Sequence, residues 1–140
     1  MGYAIFFGFL LPLVVKMNEV LGRHIGSLQA SASVHASGGV FLCLFVLPFL
    51  GRAWVSGAAG APWWSWLGGV IGSMLVVLAN RAIGAVGVAA FTAVSVAAQL
   101  IVSSAMDHFA IMGTDLHLFT PGRAVGIILL VIGAILVVKA

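Results

Sequence analysis

The sequence predicts an all-α integral membrane protein of five transmembrane helices, and three observations carry that reading. Only 6% of the 140 residues are Asp, Glu, Lys or Arg while 63% are hydrophobic, with a mean hydropathy of +1.26. A soluble domain carries about 25% charged residues, so this composition cannot make a water-facing surface. Charges, prolines and glycines divide the chain into five apolar stretches, each close to the roughly 20 residues that a helix needs to cross a bilayer. Finally, Trp54, Trp63, Trp64 and Trp66 crowd one connection, and amphipathic indoles favour the headgroup layer, which sets a membrane surface there. Five spans use up the chain and leave no room for a separate catalytic domain, so residues 1–140 are expected to form a single five-helix unit.

The first span is predicted over Tyr3 to Leu21; the residues before it include no basic cluster, which argues against a cleaved signal peptide. Its second half carries Lys16, Asn18 and Glu19, followed by Arg23. A connection over Gly22 to Ser27 leads to the second span, Leu28 to Leu50. This region holds Ser27, Gln29, Ser31, Ser33, His35 and Ser37, with Ser27, Ser31 and His35 repeating every four residues. The tryptophan-rich connection, Gly51 to Pro62, precedes the third span, Trp63 to Ala79. A tight turn at Asn80 and Arg81 is expected next, then a fourth span from Ile83 to Met106. Thr92, Ser95, Gln99 and Ser103 form a polar stripe along it, ending beside Asp107 and His108. After Asp107 to Pro121, the fifth span covers Gly122 to Val138. Pairs such as Gly68/Gly72, Gly69/Ser73 and Gly122/Gly126 have the four-residue spacing that lets membrane helices approach closely. They fit packing within one subunit or a dimer seam, the seam best in the fifth span at Gly122, Gly126 and Gly133, whose face is otherwise plain aliphatic.

Polar groups inside spans are costly and therefore mark function or a specific structural device. Lys16 and Glu19 lie three residues apart on one helix face, which allows either a self-neutralising ion pair or a carboxylate that lines an aqueous cavity and exchanges a proton or a cationic substrate. Serines in a span can bond their own preceding turn, whereas a histidine hides less easily, so His35 is either a cavity residue or an interhelical hydrogen-bonding group. Gln99 is the deepest large polar group of the fourth-span stripe, with the same two roles open to it. Asp107 and His108 read as a solvated helix end.

Other classes find no support in the sequence. Six basic residues against three acidic ones, unclustered, leave no electrostatic footprint for nucleic acid. Cys43 has no CxxC partner or metal-ligand spacing, and no nucleophile elbow, HExxH or phosphate loop occurs, so no enzyme, metal or cofactor is expected. An odd number of spans puts the termini on opposite sides. Arg23, Arg81 and Lys139 then share one face, against Arg52 and Arg123 on the other, a weak bias towards an outside N-terminus that leaves insertion in both orientations open.

Leu11-Pro12-Leu13, Asn18, Leu21-Gly22-Arg23, Gly26-Ser27 and Gly39 resemble the first two helices of the YdcZ family of the drug/metabolite transporter superfamily. Pro62-Trp63-Trp64, Trp66-Leu67-Gly68-Gly69, Gly72, Gln99, Asp107-His108-Phe109, Arg123, Gly126 and Gly133 extend the likeness through nearly the whole chain. The resemblance implies a half-transporter of the bacterial inner membrane, similar to one half of ten-helix members with inverted repeats. It would pair in the bilayer with an oppositely oriented identical or homologous subunit and move a small organic metabolite or cation by alternating access. Within it, Glu19 is expected to exchange a proton or cation with Lys16 beside it, resembling by helix and residue type the helix-one glutamate of small multidrug resistance proteins. Asn18, Ser95, Gln99 and His35 are expected at the substrate, and Trp63, Trp64 and Trp66 as interfacial anchors. Val14, Lys16, Glu19 and His35 depart from the family pattern, which points to a specialised site or to the asymmetric member of a heteromeric pair. A dual-topology ion channel, distinguished by much faster flux, and a partner subunit without a path of its own, distinguished by tolerating alanine at Glu19 and His35, are the alternatives.

Overall fold

A computed structural model describes residues 1–139, with the side chains of all but Pro48, Arg52, Ala53 and Val55. The described residues form helices and connections without a strand. These are α1 (Gly2–Ile25), α2 (Ser27–Val46), α3 (Arg52–Gly60), α4 (Leu67–Val86), α5 (Val88–Phe109) and α6 (Pro121–Lys139). Short 3₁₀ turns occupy Leu47–Phe49, Trp63–Trp66 and Ile111–Gly113. Five segments are long and apolar enough to cross a membrane: α1, α2, the stretch Trp63–Val86 that includes α4, α5 and α6. The protein is thus an all-α, five-span membrane protein. The short α3 lies inside the connection expected between the second and third spans.

The turns sit elsewhere than expected. Helix α1 continues through Arg23 and His24 to Ile25, and only Gly26, at φ 94° and ψ 144°, separates it from α2. Likewise Asn80 and Arg81 are not a turn: α4 runs through them to Val86, and the break falls at Gly87, φ 83°. A polar or charged residue is compatible with the last turns of a span, because long side chains extend towards the interface while their stems stay in hydrocarbon. Reversing the chain in one residue instead needs a positive φ, which glycine adopts without a Cβ penalty.

The chain divides into two units, residues 1–84 and 85–140. In the first, α1 and α2 pack along each other below the Gly26 turn. Ala30 and Ile83 are its buried apolar side chains among the described residues. Small residues let α4 meet this pair: the Ser31 hydroxyl donates to the Ser73 carbonyl at 2.6 Å, so one serine of the second-span series binds across helices. Ser37 and Ser73 do bond their own preceding turns, to Val34 and Val70.

In the second unit α5 packs along α6, with Ala97 and Ala134 buried. The expected solvated end of the fourth span is instead a tied joint. Arg123 Nη1 lies 3.4 Å from Asp107 Oδ2, the Phe119 amide donates to His108 Nδ1 at 3.2 Å, and the His117 amide donates to the Asp107 carbonyl at 3.0 Å. The Thr114 hydroxyl adds a bond to the Met106 carbonyl. A loop of backbone donors must find acceptors near the membrane, and the end of α5 supplies them. Most large apolar side chains of both units are exposed, as a surface that meets lipid requires.

Candidate functional site

Positions 16, 19 and 23 are spaced by three and four residues, so their side chains share one face of α1. Glu19 is 1% exposed and is the buried acidic group of the described residues. Lys16 Nζ donates to its Oε2 at 2.7 Å, and Arg23 Nε donates to Oε1. The two cations remain open, with side chains 44% and 62% exposed. The carboxylate therefore faces inward while its partners reach outward, and the three formal charges sum to +1.

Helix α4 meets this part of α1 at two positions, one of them tight. A Cβ at Gly84 would stand 3.8 Å from Glu19 Oε1, an ordinary contact distance, so this part of α4 lies beside the carboxylate. A Cβ at Gly22 would stand 3.0 Å from Asn80 Nδ2 and 3.4 Å from Asn80 Cβ. Asn80 and Gly84, four residues apart on one face of α4, thus rest on the Glu19–Arg23 turn of α1. Asn80 is 5% exposed, and neither its amide nitrogen nor its amide oxygen has a partner among the described residues. Each buried polar group left unpaired costs about 1–3 kcal/mol, which a purely structural asparagine does not repay.

A second polar group, His35, lies on α2 where it approaches α4. His35 is exposed, and its Nδ1 is 2.9 Å from the Ser31 carbonyl. A carbonyl only accepts, so Nδ1 carries the proton in this bond and Nε2 of the neutral ring is left as an acceptor. Nε2 would lie 3.8 Å from a Cβ at Gly72. His35 therefore satisfies one ring nitrogen on its own preceding turn, as a serine in a span can, and keeps the other available.

The remaining expected residues fall as follows. Asn18, beside Glu19 on α1, is half-buried. Ser95 is half-buried and Gln99 exposed on α5, in the other unit. Trp63, Trp64 and Trp66 form an exposed 3₁₀ turn at the start of the third span. Around Gly122, Gly126 and Gly133 no atom lies within 4 Å of where a Cβ would stand, so that glycine line of α6 is open. Among the described residues no group of His, Cys, Asp and Glu could hold a metal. In sequence Asn80 beside Arg81 resembles a turn, which conceals its place in this cluster, whereas the four-residue spacing of Arg23 from Glu19 is a signal for a second cation.

A family model described as "Putative inner membrane exporter, YdcZ" matches residues 1–136. Among curated proteins and solved structures, none matches.

Proposed function

The chain belongs to the YdcZ family of inner-membrane exporters, a transporter family and not an enzyme family, and from that premise we propose that it is one half of a secondary transporter. It acts as a single five-helix unit that pairs with an oppositely oriented copy or a homologous subunit and moves a small organic metabolite or cation by alternating access. Inverted repeats place substrate at their mutual interface, and one repeat alone cannot alternate access. The open glycine line at Gly122, Gly126 and Gly133 is suited to close helix packing in such a pair.

One observation carries the placement of the site: Glu19, in the first span, is 1% exposed and held by two cations. An ionisable group at membrane depth is expensive, and retaining it signals a path for substrate or ions. Glu19 is the exchanging carboxylate, and Lys16 is coupled to it. Asn18, His35, Ser95 and Gln99 contact the substrate, while Trp63, Trp64 and Trp66 anchor the third span at the interface. The test is flux in proteoliposomes under an imposed proton gradient. Glu19→Gln is expected to abolish gradient-driven transport while the protein still elutes as a folded species, and unchanged flux would remove Glu19 from the coupling role.

A further inference from the structure

We infer that the substrate of this site is a small organic anion, a carboxylate foremost, held by the free donors of Lys16 and Arg23; this deepens, and rests on, the transporter reading above. A carboxylate kept only to neutralise one lysine needs one partner. Glu19 has two, so the cluster retains a formal +1 in a membrane span. In a low-dielectric setting a monovalent anion brings that sum to zero, whereas a cation raises it to +2.

The unused hydrogen-bonding capacity has the same sign. Arg23 meets Glu19 through Nε, which leaves both terminal NH₂ groups of its planar fork without a partner among the described residues. That fork matches a carboxylate in the bidentate manner. Lys16 spends one donor on Glu19 Oε2 and keeps two. Asn80, packed on Gly22 of the same turn of α1, adds a nine-tenths-buried amide whose nitrogen and oxygen have no partner among the described residues, suited to a polar group of the same ligand. Glu19 then orients the two cations and does not receive the substrate.

This assignment and a cation site differ in the sign of one substitution. Full-length protein in nanodiscs of zwitterionic lipid would be titrated calorimetrically with sodium benzoate, sodium succinate and tetraethylammonium chloride. The expected result is binding of at least one carboxylate and none of tetraethylammonium. Glu19→Gln, by raising the cluster to +2, tightens carboxylate binding; a cation site would lose its ligand instead. Arg23→Lys keeps the charge and the partner of Glu19 but removes the fork, and is expected to weaken carboxylate binding by about tenfold or more. Lys16→Gln weakens it as well. Binding of tetraethylammonium alone, of neither carboxylate, or carboxylate binding indifferent to both Arg23→Lys and Lys16→Gln would each overturn the inference. Counterflow of the same probes in proteoliposomes separates the two readings: carboxylate binding through Arg23 without flux sinks the transporter role and leaves the anion site, whereas tetraethylammonium flux without carboxylate binding does the reverse.

Discussion

Asn80 is where stability and function pull apart most plainly. Its amide is buried against Gly22, and neither polar atom has a partner among the described residues, so an apolar replacement relieves a cost of about 1–3 kcal/mol. Asn80→Leu is therefore expected to raise resistance to thermal unfolding while transport falls, the exchange typical of residues retained for activity. Transport left at the wild-type rate would show Asn80 to be structural. At this scale the sequence was legible wherever a polar group interrupted an apolar run: Lys16, Glu19, His35 and Gln99 stand out for that reason. Asn80 did not, since an amide next to an arginine also marks a turn, and only the position of α4 against α1 tells the two apart. Nor does the sequence disclose that Ser31 bonds to Ser73 and not to its own helix, because the acceptor lies 42 residues away on another element.

Among the elements, the number and order of spans were readable from composition, whereas their ends were not. The sequence predicts span ends at Leu21 and Ala79, ahead of Arg23 and of Asn80 and Arg81, yet the helices run on through those residues and stop at glycines with positive φ. Gly26 and Gly87 therefore make a matched test of what a one-residue turn requires. Gly87 has open space around its absent Cβ, so Gly87→Ala meets only the backbone penalty of a positive-φ, extended conformation essentially reserved for glycine, about 1–3 kcal/mol. At Gly26 the same penalty applies at φ 94°, and the new methyl would also overlap the Gln29 side-chain amide. Gly26→Ala is expected to destabilise at least as much as Gly87→Ala, and both clearly more than Gly2→Ala, whose surroundings are open and whose φ is ordinary. Unfolding midpoints in mild denaturant rank the three; a Gly26→Ala midpoint equal to that of Gly2→Ala would show that another residue makes the turn.

For the whole molecule the decisive quantity is orientation, and it hangs on a margin of one charge. Five spans place Arg23, Arg81 and Lys139 on one face and Arg52 and Arg123 on the other. The positive-inside bias acts through lysines and arginines near span ends, so three against two leaves the two insertions close in free energy. Reporters fused separately to each terminus are expected to find each terminus on both sides of the membrane. The margin is adjustable: Ser27→Lys makes it four against two and is expected to fix one orientation, whereas lysines at Gly57 and Gly60 make it three against four and favour the other. If an antiparallel pair is the working unit, each biased chain expressed alone loses transport, because its partners all point the same way. Co-expression of the two biased chains then restores it, since each supplies the orientation that the other lacks. Full transport by either biased chain alone would mean that a parallel assembly or a single copy suffices. A chain found in one orientation before any substitution would instead require a homologous partner inserted the other way.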